Sequence, residues 1–376
     1  MLRLIIAIVL LLSSLLVIFK APLHFCWLLA VAITSYPLVF TSIALLVLLS
    51  AFWAVKFKIA VIAVCTVAIV LYCLPVVIAV QQNRYLPAQL AKAFNMPGST
   101  INTKPFSITA MVTGLQANNA STTTVTYKTV GTTHLTLDFY PSALPGKSPL
   151  ILVIHGGSWE SGNSREFIDF NNYFAGKGYN VAAINYRLAP AYKSPAPMED
   201  TRDAIAYLTA NANQYNIDTG NIVLAGRSAG AQVALVYAYS AHNPGIKGVI
   251  DFYGPADMVW GGQAKTSKLM LDTRQIYNAY FGGVYSQVPQ VFKTNSACEY
   301  VNVNTPPTLI IHGTIDAMVS HIHSEHLAEK LTLCNIRHYF LSLPFATHGC
   351  DYNINSPGGQ VTTFATEQFL RAVTKH

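Results

Sequence analysis

The hydrophobic pattern splits this chain into two unlike parts. Residues 2–19 form an apolar run, residues 21–55 are apolar with a proline at 37, and residues 59–80 are apolar again. A helix crossing a bilayer needs about 20 such residues, and a soluble core cannot hide runs of this length without partners. The pattern predicts three transmembrane helices, at about 2–19, at about 27–55 with a kink or shorter true ends, and at about 58–80, forming a membrane anchor over residues 1–83. A cleaved signal peptide accounts at most for the first run and leaves the other two unexplained. Residues 84–123 read as a linker, since the stretch 99–133 is rich in Thr, Ser and Asn and passes into the first strands.

Beyond residue 123 the runs shorten and change period. Residues 124–128 and 134–140 read as an antiparallel pair turned at Gly131. Strand-like runs at 150–155, 180–186, 221–225, 248–252, 308–311 and 338–343 then alternate with helix-like stretches at 165–175, 199–213, 229–241 and 323–333. Such alternation implies a mostly parallel sheet with helices on both faces, an α/β domain over residues 124–376. A long insertion, about 257–304, carries Trp260, Tyr277, Tyr280, Phe281, Tyr285 and Phe292. Two readings stay open for it: a lid or acyl pocket, and an ordinary packed helical excursion.

Charge follows the same division. No Asp or Glu precedes Asp138, and residues 1–80 carry only Arg3, Lys20, Lys56 and Lys58. Subtracting those four from the net +7 leaves +3 for the remainder, so the basic balance does not point to nucleic acid. Placing Arg3 and the Lys56/Lys58 loop inside, across three spans, puts the α/β domain on the extracytoplasmic side. The six cysteines make no disulfide framework, and the sequence does not say whether Cys298, Cys334 or Cys350 pair.

The chemistry concentrates at strand ends. Gly226-Arg227-Ser228-Ala229-Gly230 joins a strand to a helix, the context in which a G-x-S-x-G turn exposes its serine as a nucleophile. His155-Gly156-Gly157-Ser158-Trp159 follows another strand, and its glycines let backbone N–H groups approach an oxyanion. Gly156, Gly157 and Ser158, with the N–H of Ala229, are the expected donors. Serine needs a base, and the base needs an orienting carboxylate. Among eleven histidines, His348 follows the last strand in a turn-rich loop. Asp316 ends the strand before it, with Asp257 as the second choice of acid. The order Ser228, Asp316, His348 is that of α/β-hydrolases. His155 is expected to hold its loop by hydrogen bonds and His312 to be packed. His321, His323 and His326 read as the start of a helix rather than a metal site. Glu199, Asp200 and Asp203 suit a helix N-terminus. There is no P-loop and no dinucleotide fingerprint, so no cofactor or metal is expected.

From about Val125 to the C-terminus the chain resembles the α/β-hydrolase superfamily, in particular its hormone-sensitive-lipase-like esterases. The resemblance rests on His155 to Trp159, Tyr186-Arg187-Leu188-Ala189-Pro190, Gly226 to Gly230, residues 306–316 and Thr347-His348-Gly349. It implies Ser228 as nucleophile, Asp316 as acid and His348 as base. The chain departs from the family pattern at Ser158, where a third glycine is frequent. It departs again at Arg227, where an acidic residue is frequent, and at Ala231, where a glycine is frequent. These departures resemble the carboxylesterase and feruloyl-esterase-like branch; kynurenine-formamidase-like enzymes and plant isoprenylcysteine methylesterases are also similar here. The expected protein is a membrane-anchored serine esterase acting on a small-molecule or lipid ester, with membrane lipid as its neighbour; the alternatives are an amidase, formamidase or peptidase on the same triad, and a catalytically silent, membrane-tethered binding protein.

Overall fold

A computed structural model describes residues 1–53, 56–96, 103–115 and 120–374. Eight strands form one sheet: β1 (Thr123–Val130), β2 (Thr133–Tyr140), β3 (Ser148–Ile154), β4 (Asn180–Ile184), β5 (Ile217–Arg227), β6 (Ile246–Phe252), β7 (Thr308–Gly313) and β8 (His338–Leu343). Their spatial order is β1-β2-β4-β3-β5-β6-β7-β8. The opening hairpin turns at Gly131, whose φ of 59° glycine adopts without a Cβ penalty. β1, β2 and β4 pair antiparallel, and every later pair is parallel. β3, β4 and β7 are buried throughout, as expected of strands covered on both faces. Helices Ile168–Gly176, Ala196–Ala210, Ala229–Ser240, Ile322–Leu333 and Pro357–Val373 complete the layers.

This is the α/β architecture that the alternation predicts, with element ends moved by a few residues. β5 is the largest change. It begins at Ile217 rather than 221, because Ile217 and Asp218 already pair with Ser148 and Pro149 of β3.

The N-terminal part departs further from expectation. Among the described residues, only Lys58–Ala93, 36 residues long, meets the length and hydropathy of a membrane-crossing helix alone. The run at 27–55 is broken: His24–Ser35 and Pro37–Trp53 meet at 91°. Pro37 brings no N–H to continue the first helix and is instead well placed in the first turn of the second. Leu2–Val17 is apolar but falls short of a span. The expectation of three spans is therefore corrected to one, or two if the bent pair counts as one. The extracytoplasmic placement rested on the count of three and loses that support.

The boundary at residue 83 also moves. Lys58–Ala93 runs on without interruption through the expected start of the linker. Its last turns pack on the α/β domain through Leu86, Leu90 and Phe94, in one apolar cluster with Phe369 and Leu370. Phe94 meets Phe369 edge-on at 5.0 Å. Gln89 accepts a 2.7 Å hydrogen bond from the Tyr339 hydroxyl, and Asn83 bonds Phe106 through both its N–H and its C=O. Residues 97–102 and 116–119 of the expected linker lie outside the described residues. The N-terminal helices and the α/β domain thus share a core.

Candidate active site

Ser228 sits where β5 ends and helix Ala229–Ser240 begins, with φ 52° and ψ −121°. A positive φ is uncommon for a residue with a Cβ and marks a strained turn, of the kind found at functional sites. Its flanking glycines make that turn possible. A Cβ on Gly226 would lie 2.3 Å from Gly230 O, and one on Gly230 would lie 2.3 Å from both Ile154 O and His155 O. The helix can therefore cross the end of β3 this closely only without side chains there.

The loop after β3 folds over the serine. A Cβ on Gly156 would come within 3.3 Å of Ser228 Cβ. Gly157, Ser158 and Trp159 follow with φ of 104°, 54° and 61°. Among the described residues, the N–H groups of Gly157, Ser158 and Ala229 donate to no protein acceptor. Two side chains hold this loop. His155 stacks on Tyr186 at 4.2 Å, with Nδ1 bonded to Gly156 O at 2.7 Å. Burial pushes its pKa down to about 4, so the ring stays neutral. Trp159 stacks on Tyr280 at 4.4 Å and donates to Gln232 Oε1 at 3.0 Å, fixing the loop to the helix behind Ser228.

His348 donates from Nδ1 to Asp316 Oδ2 at 2.7 Å. The other oxygen of Asp316 accepts the N–H groups of Met318 and Val319 at 2.8 and 2.9 Å. His312 Nε2 lies 3.2 Å from Asp316 Oδ2. Burial alone would raise the Asp316 pKa. The charge and hydrogen bonds of His348 and His312 outweigh it and hold the carboxyl well below the ordinary range. The alternative acid, Asp257, is engaged elsewhere: it bonds His326 Nδ1 at 2.8 Å and caps the helix Met258–Gly261 through Trp260 N. The remaining histidines of that string are also occupied. His321 bonds Glu325 and Ser342, and His323 accepts from Asp257 N. Glu199 and Asp200 bind Arg187, and Asp203 binds Lys128, so these acids do more than favour a helix end.

Sequence reasoning missed the surroundings of His348. Arg227, flagged only as unusual, is 2% exposed and donates from Nε to Asp351 Oδ2 at 2.6 Å. Its guanidinium lies over Phe167, Phe170 and Phe252, at 3.9, 4.4 and 4.5 Å from their centroids. Asp351 also accepts the Tyr253 hydroxyl at 2.6 Å, and the Tyr253 ring lies 4.5 Å from that of His348. The signal was present: a buried Arg requires an acid, and Asp351 is three residues past the histidine.

Ser228 and His348 line one cavity of about 970 Å³. Trp260, Leu271, Ile276 and Tyr277 of the insertion form one wall, while Tyr280, Phe281 and Phe292 anchor the insertion in the core. The insertion thus both lines the cavity and packs into the core. A second wall contains Trp27, from the N-terminal helices. All six cysteines are free.

The fold and this arrangement are those of an α/β-hydrolase. The BD-FAE family profile matches residues 137–331, just over half of the chain, and the chain belongs to that family. It is 26% identical over 241 residues to Esterase LipC of Mycobacterium tuberculosis, covering 60% of this chain and 59% of that one. It is 41% identical over 101 residues to the kynurenine formamidase of Meyerozyma guilliermondii, covering 26% of this chain and 36% of that one. The chain spans a little under three fifths of the length of its mycobacterial relatives. A truncated carbohydrate esterase from gut microbiota shares its fold at a TM-score of 0.55 and 23% identity, over 67% of this chain and 99% of that one. Esterase Est2 of Thermogutta terrifontis does so at 0.55 and 22%, over 65% and 89%.

Proposed function

We propose that this protein is a membrane-anchored serine hydrolase that cleaves carboxylic esters through an acyl-enzyme. One observation carries the reading: Ser228 is held at a strained strand-to-helix turn and shares a cavity with His348, whose far nitrogen is bonded to buried Asp316. His348 Nε2 takes the Ser228 proton as Oγ attacks the ester carbonyl. Asp316 holds the imidazole in the tautomer that accepts this proton and stabilises the cation that forms. The unengaged N–H groups of Gly157, Ser158 and Ala229, with Gly156 keeping the loop close, receive the oxyanion, which gains charge only as the transition state is approached. His348 returns the proton to the leaving alcohol, and water repeats the sequence on the acyl-enzyme.

Esterase names among the mycobacterial relatives support the ester, and the apolar helix Lys58–Ala93 supports the anchor. A second reading, a formamide or other amide on the same three residues, is favoured by the local identity to kynurenine formamidase. Purified full-length protein tested on p-nitrophenyl esters of graded chain length, N-formylkynurenine and short peptides separates the two. Turnover of esters alone supports the esterase, turnover of the formamide or of peptides alone supports the second reading, and turnover of none of them contradicts both.

A further inference from the structure

Helix His24–Ser35 lies against the hydrolase domain beside the site. It packs on helix Pro357–Val373, and Ser35 O accepts from Asn353 Nδ2 at 3.4 Å. From this helix Trp27 reaches the cavity and donates from Nε1 to the backbone carbonyl of His348 at 3.0 Å. The residue proposed as base is therefore held on its ring side by Asp316 and on its backbone side by an N-terminal tryptophan. The other side of the same helix is apolar and bare: Phe25 is 73% and Leu28 50% exposed. Lys58–Ala93 exposes Val67, Val70 and Val77 as well. On the hydrolase side, Ile168, Ile322 and Tyr352 line the cavity and are themselves exposed, Tyr352 at 72%. Apolar side chains therefore flank the site from both parts of the chain. A patch of this kind, next to a helix able to cross a bilayer, suits lipid contact. Tryptophan, with an apolar ring and one N–H, suits the boundary between lipid and polar protein.

We propose that the N-terminal helices form a working wall of the active site, so that an ester of a bilayer amphiphile reaches Ser228 from the lipid, its acyl chain lying against Trp27 and Tyr352. This rests on the hydrolase reading above and adds the substrate class to it. Trp27 has two separable tasks. Its N–H fixes the backbone of His348, which makes it a positioning residue. Its ring offers apolar surface to the chain of the substrate.

The test uses full-length protein in phosphatidylcholine vesicles, with p-nitrophenyl butyrate and p-nitrophenyl palmitate as probes. Trp27→Phe keeps a ring and loses the N–H. It should lower kcat on both esters about three- to tenfold, as loss of one half-buried hydrogen bond implies, and move the pH profile of kcat/KM. Trp27→Ala should also raise KM about tenfold for the palmitate and leave that for the butyrate in place. Tyr352→Ser, at an exposed position whose ring meets Phe167 edge-on at 5.9 Å, should keep the wild-type melting temperature and shift the palmitate-to-butyrate preference in the same direction. The proposal is overturned if Trp27→Phe, with wild-type melting temperature, keeps both kcat and pH profile, or if Tyr352→Ser leaves the preference unchanged. A fluorophosphonate probe on the same wild-type sample keeps the two readings apart. Labelled Ser228 with unaltered variants overturns the lipid-side wall alone, whereas absence of labelling overturns the hydrolase reading beneath it.

Discussion

Arg227 and Asp351 form a buried ion pair, Nε to Oδ2 at 2.6 Å, that ties the residue before Ser228 to the residue three past His348. The pair spans the two loops that must stay in register for proton transfer. The faces of the guanidinium rest on three phenylalanines, and among the described residues neither Nη has an acceptor, so aromatic π-density takes the place of hydrogen bonds there.

Breaking this pair from one side should be costly. Arg227→Met leaves a carboxylate with only the Tyr253 hydroxyl, and Asp351→Asn leaves an uncompensated cation. Each should lose about 3–5 kcal/mol of stability. The double variant should lose less than the sum of the two. Thermal unfolding of the three variants checks this, and strict additivity would count against direct coupling.

The two candidate acids predict opposite outcomes. Asp316→Asn should lower kcat about 10⁴-fold, as expected when the imidazole loses its orienting carboxylate. Asp257→Asn removes a partner of His326 and a helix cap and should leave kcat within a few-fold of wild type. Steady-state kinetics on one short ester decides between them, and the reverse pattern would make Asp257 the acid.

Gly157→Ala should collapse the loop that supplies the oxyanion donors. The residue stands at φ 104°, and a Cβ would lie 2.2 Å from Ser161 O. We expect kcat to fall by at least about 10²-fold, the usual effect of losing one such donor, with a smaller change in KM. A variant that folds and retains wild-type kcat would remove Gly157 from the mechanism.

Asp251 gives a pH signature independent of activity. Burial raises its carboxyl from 3.8 to about 7, against a 2.7 Å bond from Gly254 N that lowers it. Because the folded pKa is raised, the unfolded chain releases its proton first as pH rises above about 4. The contribution of this group to stability then declines by about 1.4 kcal/mol per pH unit until the folded group ionises near pH 7. Asp251→Asn should remove that decline, so that its melting temperature gains on that of the wild type between pH 4 and pH 8. Parallel curves for variant and wild type would contradict the assignment.

The sequence singled out Ser228, Asp316 and His348 because each follows a short apolar run and stands in a turn, where periodicity and glycine placement are local signals. It did not show Trp27, which is 321 positions from the histidine it touches; such a contact depends on how two parts of the chain dock. Hydropathy located the apolar runs and misjudged their ends. The helix from Lys58 continues past the apolar stretch, and through Pro87, because Leu86 and Leu90 dock on the α/β domain, so that packing outweighs local propensity. The kink allowed for in the run at 27–55 falls at Pro37 and is a full bend of 91°.

The central claim is that Ser228 is the nucleophile activated by His348, and covalent labelling tests it most directly. Full-length protein is treated with a fluorophosphonate, and the modified peptide is located by mass spectrometry in wild type, Ser228→Ala and His348→Ala. The account predicts one adduct per chain on Ser228 in wild type, none in Ser228→Ala, and labelling slowed by orders of magnitude in His348→Ala. An adduct on another residue, or equal labelling rates in wild type and His348→Ala, would contradict it.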